Sequence, residues 1–340
     1  MPHTLLSTKT VLLTRVFSTV SVNPIDVKIR QGTYDDAPDY YQRVKALSDF
    51  HIMGYDGAGV VFDTGPDVKY FKAGDEICYL ANPTAQGSDS EQLLADERYA
   101  AHKPKSLDYV ESAAMPLTYG TAYEALVDRL EIKTGEKAGI LIINGGGGVG
   151  SIASQIARYQ LKLPVVITTA SRPETVSFSK KMGATHVVNH REDIRGQIRD
   201  LKLPDDVPLK YAFITSRTEQ YIKPISDILA PFGKVCSIVQ AKFDMYGSQF
   251  MSKSLTFVWC WLGTSLFHGL QNGDQGEKSH ERYEEMARLL ENGTLRCHLT
   301  RRLRLTVEGL REAHQVLESG RGIGKVALGV DEPDEQKPFT

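Results

Sequence analysis

The 340 residues include 40 basic and 42 acidic side chains, giving a net charge of −2, with 41% hydrophobic and 24% charged residues. That balance excludes a dedicated nucleic-acid or membrane-surface binder, which would show a clustered basic excess. At roughly 150 residues per domain, the length predicts two domains. Four cysteines, at 78, 236, 260 and 297, form no CxxC pair. Neither a disulfide framework nor a cysteine-rich zinc site is indicated, and a reducing, cytoplasmic setting is expected.

The first 22 residues are rich in Ser and Thr, contain Lys and Arg, and are followed by the first acid only at Asp26. That composition matches a mitochondrial transit peptide. The competing reading is a strand, because Val16, Ser18, Val20 and Val22 alternate with Phe17, Thr19 and Ser21. Up to about residue 112 the chain reads β-rich. GAGVVF (57–62) and EICYL (76–80) are short runs broken by Gly-Pro, Asn-Pro and Gly-Asp turn signals.

From about residue 113 the period changes. GILII (139–143) leads into a four-glycine run, and Val149, Ile152, Ala153, Ile156 and Ala157 then fall on one helical face. VVITT (165–169), a helix starting near Pro173, HVVN (186–189), YAFIT (211–215) and KVCSIV (234–239) continue the alternation. Strands separated by helices of this length predict an α/β, doubly wound parallel sheet. Residues 254–273 lack Asp, Glu, Lys and Arg, but only about 255–267 is strongly apolar. That is short of the roughly 20 residues of a membrane span and reads as a buried strand with a following loop. A helix over 281–291 and a strand, helix and strand over 301–306, 308–319 and 325–330 complete the chain. DEPDEQ (331–336) reads as a solvated acidic end.

Gly145-x-Gly147-x-x-Gly150 follows an apolar strand and opens a helix, the context a dinucleotide fingerprint requires. The first glycine allows the tight turn, the second lets backbone approach a pyrophosphate, and the third lets helix and strand pack closely. The helix N-terminus supplies amides and partial positive charge. The competing reading is a tight turn without a ligand. NAD binders place an acid about 20 positions later, on the next strand. This chain has Ser171 and Arg172 there, and a hydroxyl with a guanidinium binds a 2′-phosphate that a carboxylate would repel. Glu174 lies just after Pro173 and reads as a first-turn helix residue. NADPH is therefore the expected cofactor, and the alternative for Arg172 is a surface residue near a helix start.

VNPIDVKIR (22–30), GYDGAGVV (54–61), FKAGDEI (71–77), AAMPLTYGTAYEAL (113–126), INGGGGVGS (143–151), TASRPE (169–174), GATHVVNHRE (183–192) and ESGRGIGKVAL (318–328) occur in this order. In these motifs the chain resembles the medium-chain dehydrogenase/reductase superfamily, in its zinc-free quinone oxidoreductase (zeta-crystallin-like) branch, close to zinc-type alcohol dehydrogenase-like proteins. The resemblance implies a GroES-like β-rich catalytic domain from 1–112 and 276–340, and an inserted Rossmann NADP-binding domain from 113–275. The active site would lie in the cleft. It implies cofactor contacts at Lys28, Thr121, Gly145, Gly147, Gly148, Val149, Gly150, Ser171, Arg172, His190, Ser237, Ile238 and Val239. Family members have further residues before the VNPID strand, so the N-terminal end of the catalytic domain is expected to be shortened here.

Zinc-dependent relatives hold catalytic zinc with Cys, His and Cys, and those positions fall on Asn23, Tyr55 and Leu117. Zinc needs thiolate, imidazole or carboxylate donors, so no metal is expected. Of the four-cysteine structural zinc lobe, only Cys78 falls nearby. His51 and Asp56 remain as a stray pair that reads as structural. The expected function is NADPH-dependent hydride transfer to a quinone or an activated C=C bond. Tyr55 and Asn23 would be the hydrogen-bond donors to the acceptor oxygen; packing is the competing role for each. Reduction of aldehydes or ketones is the enzymatic alternative, and an inactive NADPH-binding or structural protein is the alternative of another class. The expected partner is a small molecule, with neither nucleic acid nor membrane, and the chain is expected to be a homodimer or monomer.

Overall fold

The computed structural model describes residues 10–270, 272, 274–330 and 335–336. Apolar runs bounded by turn residues become its strands. The chain opens with β1 (Thr10–Val22), α1 (Pro24–Arg30), α2 (Tyr40–Leu47), β2 (Asp56–Thr64), β3 (Glu76–Leu80), β4 (Leu93–Asp96), β5 (Ala100–His102), α3 (Tyr109–Ala113) and α4 (Pro116–Tyr123). Strands and helices then alternate as far as β10: β6 (Gly139–Ile143), α5 (Gly148–Gln155), β7 (Val165–Thr169), α6 (Pro173–Lys181), β8 (His186–Val188), α7 (Ile194–Asp200), β9 (Leu209–Ile214), α8 (Thr218–Ile228) and β10 (Lys234–Ser237), with β11 (Thr256–Trp259) following without a helix between. The chain closes with α9 (Thr264–Phe267), α10 (Asp274–Glu291), β12 (Leu299–Arg304), α11 (Val307–Glu318), β13 (Lys325–Gly329) and β14 (Glu335–Gln336).

Two compact units result, residues 1–120 with 262–340, and residues 121–261. The division falls at 120/121 and 261/262, against the expected 112/113 and 275/276. Within the first unit α3 lies on β1, β2 and β13, and α10 lies on β5.

The first unit is GroES-like and β-rich. Its sheet runs β14-β12-β13-β1-β2-β3-β5, with β4 also on β1. The two chain ends meet at its centre, where Thr19 pairs with Gly329 and Val22 with Val326 in antiparallel register. Val20, Val22, Leu303, Val326 and Leu328 form one core beneath it, and Val61, Ile77, Tyr79 and Leu93 another. The stretch 10–22 is thus a strand of this sheet. Residues 1–9, where the transit-peptide reading begins, and 331–334 of the acidic end lie outside the described residues.

The second unit is Rossmann-like. Six parallel strands run in the order β11-β10-β9-β6-β7-β8. Every residue of β6 and β7 is buried, as expected where helices cover both faces of a parallel sheet. The chain winds outward from β6 to β8, then returns to place β9 on the other side of β6. That reversal is the topological switch point at which such sheets bind ligands. Residues 256–259 correct one expectation: β11 is the sheet's edge strand rather than a buried one, with Thr256 exposed and Trp259 46% exposed. A short helix, α9, follows it. Among the described residues no helix is long and apolar enough to cross a membrane.

Candidate functional site

Parallel strands end on one edge, so the loops after β6, β7, β8 and β10 share the C-terminal edge of the second sheet. That edge gathers Gly145, Gly147, Gly148, Val149, Gly150, Ser171, Arg172, His190, Ser237, Ile238 and Val239. Asn144 takes a left-handed turn, φ +62, and its backbone N–H donates to the Thr169 hydroxyl at 2.8 Å. A Cβ on Gly145 would lie 2.4 Å from Thr168 Cβ, and one on Gly150 would lie 2.1 Å from the Asn144 carbonyl oxygen. Both glycines are therefore required by the turn itself. Gly147 caps α5 with no side chain and forms no side-chain cap, which leaves the first amides of the helix to an anion. Behind them Ile152, Ala153, Ile156 and Ala157 are fully buried against the sheet.

Ser171 and Arg172 lead from β7 into α6 and are half-buried. Pro173 opens that helix and Glu174 stands in its first turn, with its carboxylate 3.3 Å from Arg172 Nε. Glu174 thus stands in the first turn of α6, paired with Arg172, rather than at the end of β7. His190 is exposed after β8, and its imidazole is held below the usual value by lost hydration and by the Arg191 and Arg217 guanidiniums. The loop after β10 is shaped by Thr218, which sequence reading missed. Its hydroxyl lies 2.7 Å from Ser237 Oγ and donates to the Val239 carbonyl at 2.6 Å. Ser237 is fully buried, and Ile238 and Val239 are half-buried.

Lys28 belongs to the other unit, on α1, where it lies 3.5 Å from Asp36. Thr121 is buried within α4, at the start of the second unit.

In the first unit, NPID is a helix start: Asn23 at the cap, Pro24 at the first turn, and Asp26 reaching back to accept the Asn23 N–H at 2.7 Å. The Asn23 amide is fully engaged. Its Nδ2 donates to the Ser21 carbonyl at 3.3 Å and to Asp56 Oδ1 at 3.0 Å, while its Oδ1 accepts from Lys325 Nζ at 2.5 Å. This corrects its expected part as a free donor: both amide hydrogens are spent inside the protein. Asp56 also accepts from the Ser21 hydroxyl and the Leu117 N–H, and lies 3.8 Å from Lys325 Nζ. Burial raises the Asp56 carboxyl, with Lys325 opposing, and burial lowers the Lys325 ammonium. Asp26 is raised by burial and by Asp89, and Asp89 is raised to about 7 by burial and by Asp56.

Tyr55 is 1% exposed and directly precedes β2. Its hydroxyl lies 2.9 Å from that of Tyr40 and 3.2 Å from His51 Nε2. His51 and Asp56 therefore belong to separate clusters rather than to one pair. Tyr40 and Lys325 were missed by sequence reading. The one available signal was a lysine set inside the apolar run GKVAL. Among the described residues no group of three His, Cys, Asp or Glu is placed to hold a metal ion.

Residues 11–122 match the alcohol dehydrogenase GroES-like domain family, and residues 148–290 match the zinc-binding dehydrogenase family. A zinc-type alcohol dehydrogenase-like protein of Staphylococcus aureus is 36% identical over 319 residues, 92% of this chain and 89% of that protein. The chloroplastic NADPH-dependent alkenal/one oxidoreductase of Arabidopsis thaliana is 33% identical over 221 residues, 63% of this chain and 53% of that protein. A Rhizobium etli protein described provisionally as a zinc-dependent alcohol dehydrogenase superposes with a TM-score of 0.83 at 37% identity, covering 94% of this chain and 89% of that one. With both domain families in sequence, and relatives of this identity along nearly its whole length, the chain belongs to the medium-chain dehydrogenase/reductase superfamily of oxidoreductases.

Proposed function

We propose that the chain is an NADPH-dependent reductase of quinones or of C=C bonds conjugated to a carbonyl, working without zinc. The observation that carries this reading is the pair Asn23 and Tyr55 at positions where zinc-dependent relatives carry ligands. One is locked in a hydrogen-bond network and the other is a buried phenol joined to a second phenol and an imidazole. Neither side chain is a zinc donor. Without a Lewis acid that contributes several kcal/mol, the acceptor must be activated already, which favours enones and quinones. The Arabidopsis relative, named for NADPH and alkenals or alkenones, points the same way.

Bound NADPH would supply a hydride from its nicotinamide ring. The chain's own residues do the rest. The α5 amides and Gly147 would take the pyrophosphate, and Arg172 with Ser171 the 2′-phosphate. Tyr55 would donate its O–H to the acceptor oxygen as charge develops there. Asn23 would hold Asp56 and Lys325 in place rather than touch the acceptor. We place the functional boundaries at those of the two units, with both chain ends forming the donor unit and 121–261 the nucleotide unit. A second reading, reduction of simple aldehydes or ketones, has the alcohol dehydrogenase-like designation of the staphylococcal relative in its favour. Following NADPH absorbance with panels of enones, quinones and aldehydes separates the two. Turnover confined to aldehydes or ketones would sink the first reading.

A further inference from the structure

The structure carries a second polar cluster that the function above uses at only one atom. Tyr40 Oη, Tyr55 Oη and His51 Nε2 form a closed triangle of 2.9, 3.2 and 3.2 Å. Tyr40 and Tyr55 are 0% and 1% exposed, whereas His51 is half-exposed. One end of the cluster is dry and the other meets water.

Counting hydrogens shows what such a triangle does. Each phenol brings one hydrogen, and Nε2 brings either a hydrogen or a lone pair, never both. With a lone pair on Nε2, Tyr40 donates to Tyr55 and Tyr55 to His51, and both phenolic hydrogens are used internally. With a hydrogen on Nε2, His51 donates to Tyr40 and Tyr40 to Tyr55. The Tyr55 hydrogen is then left to point out of the triangle. A hydrogen on Nε2 therefore leaves one phenolic hydrogen over, and in the arrangement His51 to Tyr40 to Tyr55 it is the one on Tyr55.

We propose that His51, Tyr40 and Tyr55 form a proton relay, in which His51 takes a proton from solvent and Tyr55 delivers one to the oxygen of the reduced acceptor. This rests on the reading of the chain as an enone or quinone reductase. In the enone reaction, NADPH is oxidised and its hydride forms a bond to the β-carbon. The C=C electron pair shifts to leave charge on the carbonyl oxygen. That oxygen bonds the Tyr55 proton, Tyr55 regains one from Tyr40, and Tyr40 regains one from Nε2 as Nδ1 takes a proton from solvent, so that His51 passes from one neutral tautomer to the other and no imidazolate forms. One solvent proton is consumed, and the enol becomes the saturated ketone.

Burial makes the refilling necessary. It pushes the Tyr40 phenol up to about 12 and Tyr55 further in the same direction, so neither can persist as a phenolate while the acceptor is protonated. Burial also lowers His51, which keeps it a neutral carrier rather than a fixed cation. The groups facing the triangle are Tyr34 and Tyr41, edge-on to the Tyr40 ring at 5.0 and 5.3 Å, and Asp26, whose influence reaches both phenols.

The test uses the full chain, NADPH and methyl vinyl ketone. His51→Ala is expected to keep NADPH affinity, read by nicotinamide fluorescence, and to lose turnover on the order of 10²-fold, the low end for general acid catalysis. Added imidazole should restore that turnover in a saturable way, and the solvent deuterium isotope effect should rise before rescue. In the double variant with Tyr55→Phe, imidazole should restore nothing. His51→Gln, which keeps polarity but cannot exchange protons, should also lose turnover. Full turnover in either His51 variant, or a loss that ignores imidazole with an unchanged isotope effect, overturns the relay alone. A wild-type protein that binds NADPH yet reduces no enone or quinone overturns the reductase reading and the relay with it.

Discussion

Lys325 on β13 donates to the Asn23 amide oxygen at 2.5 Å and lies 3.8 Å from the Asp56 carboxylate, with 4% of its side chain exposed. A cation from the last long strand is thus buried against the cap of the first helix, 302 residues away. The contact ties β13 to the start of α1 and sets one cation among the acids Asp56 and Asp26 and the Asn23 amide.

Removing that charge should destabilise the first unit. Breaking one side of a buried pair typically costs about 3–5 kcal/mol, and Lys325→Met is expected at the low end because Asp56, already raised, takes up a proton. Urea unfolding of the variant against wild type checks this. Asn23→Ala, which strands Lys325 without its acceptor, should cost about 1–3 kcal/mol. Unchanged midpoints in both would show the network to be dispensable.

Stability should also depend on pH through Asp89. Its carboxyl is raised to about 7 when folded, against about 3.9 in an unfolded chain. Between those values the folded state holds a proton that the unfolded state has lost. The contribution is therefore present below about pH 4 and is lost as pH rises through 7, at about 1.4 kcal/mol per unit for one proton. Asp89→Asn should flatten that slope. A wild-type stability that climbs from pH 4 to 7 with the same profile in the variant would refute the assignment.

Gly150→Ala places a methyl 2.1 Å from a backbone oxygen. Overpacking of this kind costs about 1–3 kcal/mol, and the turn must open to relieve it. The variant should lower the unfolding temperature and weaken NADPH and NADH binding together, as calorimetry would show.

Arg172→Ala should behave differently. Charge-assisted hydrogen bonds contribute about 1.5–3 kcal/mol, so NADPH affinity should fall on the order of 10- to 150-fold. NADH affinity should barely change. Equal losses for both cofactors would make Arg172 a structural residue, paired with Glu174.

Tyr55→Phe should lower turnover on an accepted enone by roughly 10²–10³, the usual cost of one donor to a developing oxyanion, while leaving NADPH binding intact. Chelator treatment of wild type should leave turnover unchanged. A chelator-sensitive enzyme would refute the zinc-free reading.

The second unit was largely legible in the sequence. GILII and VVITT are β6 and β7 residue for residue, and the glycine spacing located the turn into α5, because local period and turn chemistry act over a few residues. Ser171, Arg172 and Glu174 could be placed for the same reason, with Pro173 marking the helix start between them. What local pattern could not convey is which buried polar groups meet. Asn23 read as a free donor because its amide partners are a lysine from the far end of the chain, an aspartate on β2 and its own preceding strand. His51 read as a companion of Asp56 because they are five positions apart, yet its ring turns to Tyr40 and Tyr55. The edge position of β11 was equally invisible, since an apolar run does not say whether another strand lies beside it. Short-range sterics and periodicity set the elements from sequence alone; the pairing of buried charges and hydroxyls depends on strand order and sheet register, which only the tertiary structure decides.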